Sequence, residues 1–167
     1  AIDAMVVAEE LGRGIVLEPI AQAFMASSVL SHYAPAELQA AWLPRVASGE
    51  ALVVLAQQER KARYRLDVCD AKATPAQSGH AVTAIKSIVP AGDKADAFIV
   101  PAQLDGKIAL FLVERTATGV TTQGYVTQDG SRAAEVKLDN APATLITTDG
   151  LAALELAVDT GIAATCA

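Results

Sequence analysis

The run Glu59-Arg-Lys-Ala-Arg-Tyr-Arg65 places four cations, Arg60, Lys61, Arg63 and Arg65, within six positions. Guanidinium forks match phosphate oxygens two at a time, so such a run can hold a phosphate of a nucleotide-like ligand. The same residues also read as a solvated loop between two strands. Tyr64 within it is either a ligand contact or the cap of a barrel end. Other chemistry is sparse. Cys69 and Cys166 stand far apart in apolar contexts and are expected as buried free thiols, and neither His32 nor His80 has metal-ligand spacing to them. Gly12-Arg-Gly14 lacks the preceding strand and the third glycine of a dinucleotide loop, so it is expected to break a helix. No P-loop, nucleophile elbow or zinc-ligand pair occurs, and no catalytic constellation is complete. Glu114, Glu135 and Glu155 are expected as surface carboxylates.

The elements that would position these residues change character near Gly49. Before it, Leu38, Trp42 and Val46 recur every four positions, as on one face of a helix. After it, Ala51-Leu-Val-Val-Leu55 runs unbroken, as in a buried strand. Three helices are expected, from about Asp3 to Leu11, from roughly Pro19 to Tyr33, and from Pro35, as a first-turn residue, to near Gly49. Strands are expected at Ala51–Gln57, Arg65–Ala73, His80–Val89, Ala97–Gln103, Ile108–Glu114, Val120–Thr127 and Ala133–Asp139. Turns at Pro75–Gly79, Pro90–Asp93, Asp105-Gly106, Ala117–Gly119 and Asp129-Gly130 separate them. Asp105-Gly106 is the clearest, since a type I′ hairpin needs positive φ at both central residues. Helix resumes at Asp149 or Gly150, with Leu151, Leu154, Val158 and Ile162 as an apolar stripe still running at Ala167. Ala1 likewise begins inside a helical pattern, and the chain reads as a piece of a longer protein. The expected fold class is α+β: N-terminal helices over residues 1–49, a central all-β barrel or sandwich over 50–148, and the start of a C-terminal helical domain over 149–167.

Composition narrows the partners. The 167 residues are 52% hydrophobic and 19% charged, enough apolar content for a packed core and too little charge for disorder. A formal charge of -6, a pI near 4.8 and only 4% aromatic residues argue against nucleic acid as a partner. No segment has the roughly 20 apolar residues of a membrane span, so a cytoplasmic protein is expected.

Gln39-Ala-Ala-Trp-Leu43-Pro44-Arg-Val-Ala-Ser-Gly49-Glu50 resembles the Gln-Lys-x-x-x-Leu-Pro-x-x-x-x-Gly-Glu segment of acyl-CoA dehydrogenases. The resemblance continues in order along nearly the whole chain. Ala51 to Glu59 stands where that family has a strand ending in Thr-Glu-Pro, and Ala84 to Asp96 is similar to its Lys-Trp-Ile-Thr segment. Gly119-Val120, Asp129–Arg132 and Val136 to Pro142 are similar to its later strands and the Val-Pro turn closing the middle domain. The fold implied is that middle β-domain with parts of the helical domains that bracket it.

The resemblance implies FAD, its site falling on two strands. The matching positions are Leu55, Gln57 and Gln58 on the first, and Ser87, Ile88 and Val89 on the second, with Arg60, Arg63 and Tyr64 near an anionic part of acyl-CoA. Glu59, Lys86 and Ile88 keep the family's identities. Gln58 replaces threonine, Arg60 proline and Ser87 tryptophan, and Val89 lacks a flavin-bonding hydroxyl. The implied chemistry is removal of an α-proton by a carboxylate with transfer of the β-hydride to the flavin, the carboxylate lying beyond Ala167. Electron-transferring flavoprotein or a similar acceptor, and a homo- or hetero-oligomer, a tetramer, are the implied partners in fatty acid metabolism. Two alternatives stay open: a non-catalytic partner subunit of a heteromeric acyl-CoA dehydrogenase, and a ligand-free β-barrel interaction module.

Overall fold

The computed structural model describes residues 2–77 and 79–167. The helical start expected at Ala1 and the Ser78 part of the Pro75–Gly79 turn lie outside the described residues. Three helices open the chain, α1 (Ile2–Arg13), α2 (Ile20–Tyr33) and α3 (Ala36–Ala47). Seven strands follow, β1 (Val53–Leu55), β2 (Lys72–Ala76), β3 (Gly79–Pro90), β4 (Ala97–Leu104), β5 (Lys107–Glu114), β6 (Val120–Val126) and β7 (Arg132–Thr147), and α4 (Gly150–Cys166) ends it. The architecture is the α+β one expected from the sequence.

The strands close on themselves. β4 pairs with β5, β5 with β7, β7 with β3, β3 with β2, and β2 returns to β4 through Lys72 and Gln103. β1 lies parallel to β4 farther along the same edge as β2, and β6 adds to β7 ahead of the β5 contact. Closure of this kind pairs strands that would otherwise expose their edges.

Period-two alternation on β1, β4 and β5 makes two cores from one sheet. Val54, Phe98, Val100, Phe111 and Val113 point into the barrel, where they meet Val82, Val136 and Leu138. Val53, Leu55, Ile99, Leu110 and Leu112 point the other way, against Val29, Leu30, Trp42 and Leu154 of the helices. β4 is buried on both faces for this reason, which explains the unbroken apolar run in its sequence.

Several expected boundaries shift. Pro35 caps α3 from outside with an extended backbone instead of opening its first turn. β2 starts at Lys72, seven residues later than expected, and Pro75 belongs to it, paired with His80. β7 continues past Asp139 to Thr147, because Asn140, at φ 48°, bends the strand without ending it, and Pro142 pairs within the ladder. The buried face of α4 is Gly150, Ala153, Leu154, Ala157 and Gly161, while Leu151 and Ile162 are exposed. The stripe is turned because Gly150 sits so close to β5 that a Cβ there would stand 2.5 Å from the Ile108 carbonyl oxygen. Asp105 and Gly106, at φ 51° and 78°, form the expected tight hairpin between β4 and β5. Cys166 is exposed, contrary to expectation, because the last turn of α4 leaves the packed face; Cys69 is buried.

Candidate functional site

After Leu55 the chain stays extended but changes partner. Ala56 N–H donates to Ile99 O at 2.9 Å, prolonging the contact with β4, and two residues later Gln58 O accepts from Ser87 N–H at 2.8 Å. The segment thus crosses from β4 to β3, where a bulge between Lys86 and Val89 interrupts the register with β7. The expected ligand strands are joined by that crossing.

Glu59 then turns inward. Its Oε1 lies 2.6 Å from Lys86 Nζ, which also donates to Pro101 O at 2.9 Å. The carboxylate further accepts the backbone N–H groups of Asp70, at 2.6 Å, and Ala71, at 3.2 Å. Cys69 Sγ completes the knot, 3.4 Å from Pro101 O and 3.6 Å from Glu59 Oε1. Lys86 is fully buried, and its charge is met by one carboxylate and one carbonyl. Burial by itself raises the Glu59 pKa, but Lys86, by hydrogen bond and charge, and the Asp70 and Ala71 amides together hold it below the ordinary carboxylate value. Burial pushes the Cys69 thiol up, so it is a poor nucleophile in this setting.

Arg60, one residue on, is exposed and stands 3.7 Å from Glu135. Glu135 is not a free surface carboxylate: it accepts from Ser87 Oγ at 2.9 Å and from Ile88 N–H at 3.4 Å, bracing the bulge of β3. Lys61 pairs with Asp70 at 3.0 Å and Arg65 with Asp67 at 2.6 Å. Arg63 takes a positive φ of 52° at the loop tip, and Tyr64 beside it is 96% exposed and caps no barrel end. Three of the four cations therefore face a carboxylate already. A recess of about 570 Å³ opens beside them, lined by Arg60, Lys61, Thr83, Ile85, Ser87 and Lys137 among others.

The six expected cofactor positions do not share one surface. Leu55 is buried under the helices and Val89 inside the barrel, so only their backbone could face a ligand. Ile88, at φ 52°, is turned outward and half exposed. Ser87 lines the recess with Arg60, whereas Gln57 lines a different crevice of about 320 Å³ between α2 and α4. Gln58 stands between them, half-buried, its carbonyl tied to Ser87. Among the described residues no group of three or more His, Cys, Asp or Glu could hold a metal ion, and no helix is long and apolar enough to cross a membrane.

The Glu59–Lys86 pair and the Glu135 brace went unread in the sequence, although one signal was present. Val82, Ala84 and Lys86 are two apart along a single strand, so a strand pattern puts the ammonium on the barrel side and demands a buried partner. Glu135 carries no such signal, since its role depends on the bulge opposite it.

No sequence-family profile and no curated protein matches the chain. Solved structures do. The Tcur3481–Tcur3483 steroid ACAD, as a variant, superposes with a TM-score of 0.85 at 25% identity, over 96% of this chain and 43% of that one. The ChsE4–ChsE5 complex from Mycobacterium tuberculosis gives 0.78 at 25% identity, over 96% and 42%. Glutaryl-CoA dehydrogenase from Mycobacterium smegmatis, in complex with FADH2, gives 0.78 at 22% identity, over 85% and 39%. The chain thus spans about two fifths of the length of these structures. It has the acyl-CoA dehydrogenase fold, in the form of that fold's middle β-domain with parts of the flanking helical domains.

Proposed function

We propose that the chain is a subunit, or part of a subunit, of an FAD-dependent acyl-CoA dehydrogenase that oxidises an acyl-CoA thioester between its α and β carbons. The observation that carries this reading is the hydrogen bond from Ser87 N–H to Gln58 O, at 2.8 Å. It sets side by side the two segments on which the resemblance places the flavin. The residues at this edge suit such a group. Gln57 Oε1 is buried and meets no donor among the described residues, the Gln58 amide can both donate and accept, and Ile88 offers an outward apolar side chain. The neighbour bound to FADH2 supports the same cofactor.

Flavin, when bound, supplies the hydride acceptor. In this reading the chain's own residues bind and orient. Backbone groups of Leu55 to Gln58 and of Ser87 to Val89 flank the ring, and the Glu59–Lys86 pair keeps the two segments at fixed separation. Arg60 and Arg63, with Tyr64, meet phosphate of the CoA portion. No carboxylate of this chain is nominated as the base: Glu135 is engaged by Ser87 and Ile88, and Glu114 and Glu155 are exposed. We place the helical end of the N-terminal domain at 1–49, the middle domain at 50–148 and the start of the C-terminal domain at 149–167. Electron-transferring flavoprotein or a similar acceptor, tetrameric assembly, fatty acid metabolism and a cytoplasmic setting complete the reading. The direct test mixes the purified, FAD-supplemented protein anaerobically with an acyl-CoA. Loss of the oxidised-flavin band supports the reading, and a flavin that stays in the unbound fraction overturns it.

A second reading has its own observation. Val89, which lacks the family's hydroxyl, is 1% exposed and turned into the barrel, so one flavin-bonding side chain is gone. A non-catalytic partner subunit within a heteromeric enzyme would tolerate this, and one structural neighbour is a two-component complex. Co-expression with a candidate partner separates the readings: flavin retained only by the partner's half of the complex favours the second.

A further inference from the structure

We infer that Cys69 and Lys86 form a reversible, oxidant-driven cross-link, a sulfenamide bond from Sγ to Nζ, that pins the segment between β1 and β2 to β3. Both groups converge on the same two acceptors. Cys69 Sγ lies 3.6 Å from Glu59 Oε1 and 3.4 Å from Pro101 O, and Lys86 Nζ lies 2.6 Å and 2.9 Å from the same two atoms. Sulfur and nitrogen are therefore neighbours, 4.0 Å apart. The lysine stem is flexible, so Nζ closes that gap by giving up Pro101 O while the backbone of β3 stays in its ladder. Access comes from one side. Glu59 and Ala71, which the thiol touches, also line the recess of about 570 Å³. Cys69 keeps 6% of its surface exposed and Lys86 none, so an oxidant as small as hydrogen peroxide meets the sulfur first.

One equivalent of hydrogen peroxide balances the chemistry. Cys69 passes its proton to Glu59 and attacks a peroxide oxygen; an S–O bond forms, the O–O bond breaks, and the departing hydroxide takes up that proton as water. Sulfur loses two electrons and peroxide gains them. The Lys86 ammonium then gives a proton to Glu59, and the neutral amine attacks the sulfenic sulfur: an S–N bond forms, the S–O bond breaks, and hydroxide leaves with that proton as a second water. A further nitrogen proton goes to solvent, because the lysine enters charged and the sulfenamide nitrogen is neutral. Burial makes the first step slower at Cys69 than at an exposed thiol such as Cys166. The second step gains from an amine already in place. The bond also strips the ammonium from Glu59, whose carboxylate then keeps only the Asp70 and Ala71 amides.

The test treats a Cys166→Ser protein, in which Cys69 is the sole cysteine, with millimolar hydrogen peroxide and reads intact mass and tryptic peptides. The expected product is about 2 Da lighter, for two hydrogens lost. It should resist trypsin after Lys86, yield one linked pair of peptides containing Cys69 and Lys86, and return to its starting mass with dithiothreitol. Adding Lys86→Arg keeps the cation but never offers a neutral nitrogen, so Cys69 there should stop at the sulfenic acid, trapped by dimedone. The linked peptides decide the matter even if that variant fails to fold. A Cys69 that stays reduced, or that reaches sulfinic acid while trypsin still cleaves after Lys86, overturns the inference. So does a link that forms equally well in the urea-unfolded chain, since the fold is then not what pairs the two groups.

Discussion

Glu59 and Arg60 are adjacent in the chain, yet one is sealed against Lys86 inside the barrel and the other stands in solvent beside Glu135. The inward residue, with Lys86, keeps the acyl-CoA dehydrogenase pattern. The outward one departs from it. Burial explains the difference. A buried ion pair cannot lose one member without stranding the other charge, whereas an exposed cation can be exchanged at little cost to the fold. The scaffold of the site and the surface it offers to a ligand are therefore under separate physical constraints, one residue apart.

The sharpest way to break this comparison is to remove the ammonium. Lys86→Met leaves Glu59 buried and unpaired and should cost about 3–5 kcal/mol in a urea unfolding experiment. A loss no larger than that of a surface substitution would show that the pair is not what holds the crossing segment. The double variant Glu59→Leu, Lys86→Met should recover a large part of the loss, since two well-packed apolar residues carry no stranded charge.

Acid probes the same pair without mutation. The folded-state pKa of Glu59 lies below its ordinary value of 4.5, so its contribution is complete above that value. It drains away as pH falls through the lower folded pKa. A pH series on the wild type should show this loss, and the double variant should show a shallower one. The mildest change falls on the outer side. Arg60→Ala and Lys61→Ala should each alter stability by less than about 0.5 kcal/mol, while weakening CoA binding several-fold in a competition assay. A large stability loss from either would erase the distinction between the inner and outer residues.

Much of the fold was readable because it rests on local patterns. Leu38 and Trp42 face the core at helical spacing, and Asp105-Gly106 turns where its φ requirement says it must. The misplacement of β2 has a distant cause. Glu59 takes the N–H groups of Asp70 and Ala71, so those residues cannot join a strand and the ladder begins at Lys72. The stripe of α4 is set by how closely Gly150 and Gly161 let it approach β5 and α2, which hydrophobicity alone does not encode. At the candidate site, the resemblance singled out two segments, but which side chains face outward follows from the β3 bulge and the crossing from β4 to β3. Val89 is turned into the barrel and Leu55 lies under the helices.

The central claim is that the altered outer edge still seats a flavin on the retained scaffold. Titration of FAD with the purified protein, followed by flavin fluorescence, tests it most directly. Saturable binding near one FAD per chain, lost in Lys86→Met under conditions where that variant remains folded, is the predicted result. Unchanged fluorescence at protein concentrations far above that of FAD would contradict it.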